Sequence, residues 1–335
     1  MTSVLIVVLN WNGIEDTKEC LDSLFKQSYG NYKIAVVDNG SIDDSVQQLK
    51  GIQKLHPDLT IIENGENRGF AGGVNSGIQY AIDNNFDAVA LFNNDAIADK
   101  DRLKELVSDL RDDTGIVTGL LLHRDGKTID STGDFYTTWG IPSPRNRGSL
   151  ANKIPESGYV FGASGGASLY SILVFKKIGL FDESFFAYYE DVDVSFRAQL
   201  AGFKVFYTKD AVAYHKQGAT SKKVPGLAIR HTFKNLPLLF WKNVPVSLLI
   251  PIGSRFALLY ILIFGNAIIN GTGTHALKGW LGSVKYFWTS ALWLRFKIQK
   301  SKKVSTRYIN SILYHDIPPE QTGMRKFRKL FTGKS

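Results

Sequence analysis

The first apolar run, Val4-Leu5-Ile6-Val7-Val8-Leu9, stops at Asn10 after six residues and has no basic stretch before it. It reads as a buried strand and not as a signal peptide. Further along, apolar runs alternate with helix-spaced patterns: a helix over 15–27, a strand over 33–37, a helix over 45–55 and a strand over 59–63. A helix over 72–84, a strand over 88–92 and a helix over 101–111 continue the alternation, which predicts an α/β fold with a parallel sheet between helices. In such sheets ligands sit beyond the carboxyl ends of the strands. Three of those ends are polar, Asn10 to Gly13, Asp38 to Asp44 and Asn93-Asn94-Asp95, so they are expected to face one crevice.

The pattern changes past residue 220. Val246 to Ile269 is long enough to span a bilayer, for which ~20 apolar residues suffice, yet Pro251, Gly253 and Arg255 interrupt it. A re-entrant or interfacial hairpin is expected there in preference to a true span. Trp280, Val284, Phe287, Trp288, Ala291, Leu294 and Ile298 fall at helical spacing with Lys285, Arg295 and Lys297 off the stripe, which predicts an in-plane amphipathic helix. Charge shifts at the same place. Residues 1–220 carry 21 Lys and Arg against 29 Asp and Glu, a net of −8, whereas residues 221–335 carry 19 against 2, a net of +17. Because the basic part is also the apolar part, the expected partner is an anionic membrane surface and not nucleic acid. Lys300, Lys302, Lys303, Arg325, Lys326, Arg328 and Lys329 would each add up to ~1 kcal/mol of attraction near the surface. The expected division is a body over 1–221 and a basic, amphipathic helical membrane-association region over 222–335. Cys20 is the lone cysteine, which rules out an internal disulfide and fits a reducing compartment.

The densest chemical signal is Phe181 to Asp193, where Asp182, Glu183, Glu190, Asp191 and Asp193 sit among aromatic and apolar residues. That mixture suggests carboxylates at a pocket wall, one of them serving as a base, although three of them would equally suit the positive end of a helix running to about Ala201. The first strand leads into Asn10-Trp11-Asn12-Gly13 with no Gly-x-Gly-x-x-Gly, and no Walker-type Gly-Lys-Ser/Thr occurs, so hydride transfer and a phosphate loop of that kind are disfavoured. Asp38, closing Ile34 to Val37, suits either a contact to a base or ribose or a plain turn with a helix cap. Glu66 to Asn75 joins Arg68 to three glycines and two amides ahead of a helix, where a ligand can approach backbone closely. Asp95 stands where a divalent ion on two phosphates could bind, and His215 follows an apolar strand as either a structural histidine or a neutral imidazole ligand. Phe161 to Ser168 is a small-residue stretch that suits a sugar against backbone or a tight strand pair. The segment Asp130 to Glu156, with Trp139, Arg145 and Arg147, looks irregular and mobile, and is assigned to acceptor binding or to a surface excursion.

Taken in order, Val8 to Gly13, Val36 to Ser41, Glu66 to Asn75, Phe92 to Asp95 and Gly179 to Asp193 resemble family 2 glycosyltransferases, most closely their rhamnosyltransferase-like branch. The resemblance covers about residues 3–220. It implies a GT-A type fold, a mixed and mainly parallel sheet flanked by helices, with a nucleotide-diphosphate-sugar donor and inversion at the anomeric carbon. It implies that Asp191 is the catalytic base beside Glu190, and that Asn10, Asn12, Asp38, Asn67, Arg68, Gly69, Asn94 and Asp95 bind the nucleotide-sugar. Asp95 and His215 would hold Mg2+ or Mn2+; the usual Asp-x-Asp begins here with Asn93, so Asp95 alone carries charge. Trp139, Gly165, Gly166 and Tyr189 are the acceptor-side candidates. The expected activity is transfer of L-rhamnose from dTDP-rhamnose to a polyprenyl-diphosphate-linked saccharide at the cytoplasmic face of the membrane, by a peripheral or monotopic protein in cell-surface polysaccharide synthesis. A homo-oligomer is compatible with the sequence. The rivals are a UDP-sugar transferase, for instance of galactofuranose, and a scaffold that binds sugar nucleotides without turnover; Glu190, Asp191, Asp95 and His215 speak against the latter.

Overall fold

A computed structural model of the chain describes residues 1–216 and 224–317. The boundary placed at 221/222 and the basic residues Arg325, Lys326, Arg328 and Lys329 lie outside the described residues. The body runs β1 (Val4–Asn10), α1 (Ile14–Leu24), β2 (Tyr32–Asp38), α2 (Ser45–Leu55), β3 (Leu59–Glu63), α3 (Gly69–Asp83), β4 (Ala88–Asn93), β5 (Ala96–Ala98) and α4 (Arg102–Ser108). It continues through β6 (Thr114–His123), β7 (Ile129–Ser131), β8 (Asp134–Tyr136), β9 (Pro142–Pro144), β10 (Gly158–Val160), β11 (Ala167–Ser171), α5 (Ile172–Ile178), α6 (Glu190–Ala201) and β12 (Lys204–His215). Among the described residues ten strands form one sheet in the order β10-β12-β6-β11-β4-β1-β2-β3, with β5 on β12 and β7 on β6. The pairs β1/β2, β1/β4, β2/β3 and β6/β12 are parallel, and β11 runs antiparallel between β4 and β6. The mixed, mainly parallel sheet flanked by helices is therefore the one expected.

Helix α3 begins three residues before its expected start. Gly69 holds φ +69°, and a Cβ there would lie 2.3 Å from the Phe186 carbonyl oxygen, so only glycine lets the segment ahead of α6 close over this turn. Gly73 and Gly77 then bring α3 down onto β1, where a Cβ would meet Leu9 at 2.4 Å and Val7 at 2.5 Å. The segment 130–156 is folded, contrary to expectation. Strands β8 and β9 pair, Thr137 Oγ1 donates to the Ile141 carbonyl at 2.9 Å, and Asp130, Ser131, Thr132 and Asp134 are buried. Its irregular pattern reflects short strands packed on both faces, which leave no period of two to read.

The C-terminal part consists of α7 (Leu227–Asn243), α8 (Leu249–Ile269), α9 (Gly273–Tyr286), a π-helical stretch over Phe287–Ala291, α10 (Leu292–Lys300) and α11 (Thr306–Ile312). The hairpin expected over 246–269 is instead one helix, because Pro251 sits in its first turn, where a missing N–H leaves no bond unmade. Ile252, Phe256 and Leu259 of α8 pack inward, while Ile250, Ile261, Ile268 and Ile269 are exposed. Mean hydropathy over this segment reaches 2.0, and length and composition alone would let it cross a membrane. The stripe expected over 280–298 divides. Ala291 and Ile298 are buried against α6 and α7, whereas Trp280, Trp288, Trp293 and Phe296 face outward. Arg295, expected on the polar side, is buried and donates to the carbonyls of Trp241 and Val244, the negative end of α7.

Candidate active site

Register brings the three polar strand ends together: Asn10 lies opposite Asp38, and Leu9 opposite Asn93. They border a cavity of about 790 Å³ whose wall includes Asn39, Asn67, Gly69, Gly165, Gly166 and residues 186–192. Asn94, Asp95, His215, Asp134 and Arg147 line it as well.

Asp38 is nearly fully buried beneath this cavity. Its carboxylate accepts from Asn10 Nδ2 at 2.8 Å, the Ser41 backbone N–H at 2.9 Å and Ser41 Oγ at 2.6 Å. Asn12, at φ 49°, closes the same loop by accepting from the Ile42 N–H at 2.8 Å. The residue on the cavity wall is Asn39, which the sequence offered only as part of a turn. Its amide donates to Asn67 Oδ1 at 3.1 Å and to the Gly69 carbonyl at 3.0 Å, and it accepts from Asn64 and from the Arg68 N–H. Arg68 itself points away from the cavity, donating from Nη2 to both Glu183 oxygens at 3.0 Å.

Asp95 and His215 come together because β5 runs antiparallel to the end of β12, Ala96 opposite His215, with the Lys216 N–H donating to the Asp95 carbonyl at 3.0 Å. Asp95 Oδ1 is 3.0 Å from His215 Nε2, and Asp130 Oδ2 is 2.8 Å from Nδ1. Burial opposes charging this imidazole, but hydrogen bonds to Asp130 and Asp95 outweigh it and lift its pKa to about 9. Among the described residues no group of three or more His, Cys, Asp or Glu side chains forms a metal cage. The pair nonetheless suits a divalent ion that completes its shell with phosphate and water: one carboxylate and one imidazole nitrogen converge, and Asp130 fixes the imidazole from behind.

The five carboxylates of 182–193 separate into three groups. Asp182 and Asp193 both pair with Lys242, which is 1% exposed, at 2.5 and 3.0 Å; Asp193 also receives Arg197 Nε and Asn243 Nδ2, each at 2.8 Å. Glu183 holds Arg68. Only Glu190 and Asp191 reach the cavity. They are aimed there by a backbone with positive φ at Phe186 (64°), Tyr188 (69°) and Tyr189 (71°), a conformation non-glycine residues adopt only when the surroundings impose it. Asn235 of α7 imposes it, donating from Nδ2 to the carbonyls of Phe185, Ala187 and Tyr188 at 3.0, 2.9 and 2.8 Å.

Asp191 Oδ2 accepts from the Gly165 N–H at 2.9 Å and Oδ1 from the Val192 N–H at 2.8 Å. A Cβ on Gly165 would lie 2.8 Å from that of Asp191, so the small-residue stretch makes room for it; Gly166 does the same for Asn93. Burial raises the Asp191 pKa above the ordinary carboxylate range, and the two backbone donors hold the rise in check. Burial and the charge of Asp191 push Glu190 well up, and among the described residues its Oε2 has no hydrogen-bond partner. Both carboxyls are thus raised by burial, Glu190 the more strongly, and Asp191 is the one whose Gly165 and Val192 donors oppose the rise. Tyr189 also borders the cavity, but Trp139 packs with Ile141, Leu236 and Phe256 away from it. Arg147, on the wall, was named in the segment assigned to acceptor binding, whereas Asp134, also on the wall, carried no signal in the sequence beyond lying in that segment.

The family model described as Glycosyl transferase family 2 matches residues 3–179. The low-salt glycan biosynthesis hexosyltransferase Agl10 of Haloferax volcanii is 29% identical over 219 residues, 63% of this chain and 66% of that protein. The poly-beta-1,6-N-acetyl-D-glucosamine synthase of Staphylococcus aureus is 24% identical over 216 residues, 64% of this chain and 50% of that protein. The chain thus spans between half and just under two thirds of these relatives. Among solved structures, the mannosyltransferase PcManGT of Pyrobaculum calidifontis in complex with GDP-Man and Mn2+ superposes with a TM-score of 0.54 at 17% identity, covering 89% of this chain and 84% of that one. TarS 1-349 of S. aureus gives 0.57 at 14% identity over 96% and 95% of the two chains. GalNAc-T7 with UDP, GalNAc and Mn2+ gives 0.58 at 15% identity over 71% and 47%. With its GT-A type sheet and a family match over more than half its length, the chain belongs to glycosyltransferase family 2.

Proposed function

We propose that this glycosyltransferase works with inversion, moving L-rhamnose from dTDP-rhamnose onto a polyprenyl-diphosphate-linked saccharide in cell-surface polysaccharide synthesis. The observation that carries the inverting reading is Asp191, on the wall of the cavity that Asn39, Asn94 and Asp95 border from the strand ends. Asp191 takes the proton of the acceptor hydroxyl as that oxygen forms its bond to the anomeric carbon. The bond from that carbon to the diphosphate breaks on the opposite side, and the nucleotide diphosphate leaves with the electron pair. One base suffices for a single displacement. Glu190, holding its proton, leaves Asp191 as the accepting group, and the Gly165 and Val192 N–H groups steady the carboxylate until the proton arrives. Asn39, Asn67 and Gly69 form the nucleotide end, with Asp38, Asn10 and Asn12 setting the loop that carries Asn39. Asp95 and His215 would hold Mg2+ or Mn2+, which supplies positive charge to the diphosphate; relatives of the same fold were crystallised with Mn2+ beside GDP-Man or UDP and GalNAc.

The sugar and base rest on the sequence resemblance, so the test is a thermal-shift panel. With Mn2+ present, dTDP-rhamnose should raise Tm more than UDP-galactose or UDP-galactofuranose at equal concentration, as tighter binding to the native state requires. A larger shift with a UDP-sugar replaces the donor. Asp95→Asn should weaken Mn2+ binding, read by the electron paramagnetic resonance of free Mn2+, by at least about tenfold, the loss of one charged ligand. Unchanged Mn2+ binding removes Asp95 as a ligand.

The outward face of α8, α9 and α10 is proposed to rest on an anionic membrane surface at the cytoplasmic side. Trp288, Trp293 and Phe296 are 73, 63 and 67% exposed, Lys297 lies over the Trp293 ring at 5.4 Å and Lys300 over Phe296 at 5.8 Å, an arrangement that suits aromatic rings at headgroup depth with ammonium groups reaching phosphate. Replacing the three aromatics by Ser should shift sedimentation with phosphatidylglycerol liposomes from bound to free while leaving Tm near that of the wild type. Retained binding moves the contact elsewhere.

A further inference from the structure

Asp134 opens β8 and is held rigidly by its main chain. Its N–H donates to the Gly162 carbonyl at 2.8 Å, the Gly162 N–H donates back at 3.2 Å, and Pro144 of β9 lies opposite. The residue is 6% exposed, and what it exposes lies on the cavity wall. None of the hydrogen bonds formed by the described residues reaches its carboxyl. A buried carboxyl without a donor is unfavourable unless it keeps its proton or a bound molecule supplies the missing bond.

The groups that act on it are Asp130 of β7, Arg145 and Arg147 after β9, and Asp191 of α6. Arg147 is itself engaged, with Nη2 3.0 Å from Asp130 Oδ1 and Nε donating to the Asp130 carbonyl at 3.1 Å. Burial, then the charge of Asp191, push Asp134 up to about 8. The two carboxyls thus differ by their donors: among the described residues Asp191 has two backbone N–H groups and Asp134 has none. Asp134, pushed the higher without a donor, is the one prepared to keep its proton at neutral pH. A neutral carboxyl in such a place both donates and accepts, which matches a sugar hydroxyl.

We propose that Asp134 is a second carboxyl of the acceptor subsite, hydrogen-bonding a hydroxyl of the acceptor saccharide next to the one that Asp191 deprotonates and so selecting which hydroxyl reacts. This rests on the transferase reading and deepens it. Two neighbouring hydroxyls on a sugar ring differ little in reactivity, so discrimination requires a second fixed contact; a buried group left unpaired by the wrong orientation supplies it.

The test uses the full chain with dTDP-rhamnose, Mn2+ and a panel of synthetic farnesyl-diphosphate-linked disaccharides, comparing wild type with Asp134→Asn and Asp134→Leu. Asp134→Leu should raise the acceptor KM about tenfold, the worth of one hydrogen bond to a buried group, with donor KM within about twofold. Its product, examined by NMR, should show mixed linkage positions where the wild type gives one. Asp134→Asn, which still donates and accepts, should keep the single linkage and stay within about threefold in acceptor KM. Wild-type acceptor KM and a single linkage in Asp134→Leu overturn the inference and leave the transferase reading intact. Should Asp134→Leu fail to fold, loss of the single linkage in a folded Asp134→Asn would equally overturn it, since the amide preserves the bond. A wild type that transfers to none of the acceptors and gains no thermal shift from any nucleotide-sugar overturns the reading itself.

Discussion

Asp191→Asn should lower kcat by about 10²- to 10⁴-fold, the range expected for loss of a positioned general base. The amide preserves the shape, and its single oxygen can still accept from one of the Gly165 and Val192 N–H groups, so α6 and the cavity should stay intact. Donor affinity, read by the thermal shift with nucleotide-sugar, should change by less than about threefold, a difference under 0.7 kcal/mol. The wild-type rate should rise with pH through a pKa above the ordinary carboxylate range, because burial raises Asp191 and only its ionised form accepts a proton. That ascending limb should be absent from the residual activity of the variant. Near-normal turnover by Asp191→Asn would remove the proposed base and with it the assignment of Glu190 as its proton-holding neighbour.

The second large effect is on stability. Lys242→Met deletes the cation shared by Asp182 and Asp193, both deeply set, and leaves Arg197 and Asn243 as the remaining partners of Asp193. Removing one member of a buried ion network costs about 3–5 kcal/mol, enough to lower Tm by roughly 4–7 degrees in a chain of this size. The pH dependence has a definite sign. Burial works against the charge on Asp193, but Lys242 and Arg197 overcome it and hold the pKa down to about 2. A depressed folded value means stability that is present above the unfolded aspartate pKa of ~3.9 and lost as pH falls through about 2. The Tm gap between wild type and Lys242→Met, measured by scanning calorimetry, should therefore be full near neutrality and shrink between about pH 4 and pH 2. A gap of constant size across that window would mean that the network does not carry the difference.

These two residues also mark what could be read in advance. Alternating strands and helices and three polar strand ends were legible because burial on both faces of a parallel strand and one face of a helix imposes a period on the chain, and the strand tips follow from the topology. Asp191 was legible through its neighbours, and so was the approach of Gly165 and Gly166. The five carboxylates of 182–193 were not separable by eye, since what sorts them is Lys242, Arg68 and Asn235, residues that lie between about 50 and 115 positions away in the chain. The same holds for Arg68: its guanidinium looked free for phosphate until Glu183 was seen to take it. Asp134 was hidden because short strands buried on both sides look like loop. At the C-terminal end, period alone marked a helix correctly but could not say which of its faces packs, so Arg295 was placed on the wrong side.

Asn235 stands 44 positions downstream of Asp191, yet its amide fixes the carbonyls that set the direction of the turn before α6. During synthesis, a nascent chain that has released Asp191 from the ribosome still lacks the clamp, and the left-handed residues Tyr188 and Tyr189 are free to relax to ordinary backbone. Competence therefore arrives only once α7 has emerged and docked, which ties the birth of the active enzyme to the helices that carry its exposed apolar face. An unfinished or clipped polypeptide ending before α7 would keep every motif of the family and lack the amide that holds Asp191, the proposed base, in place.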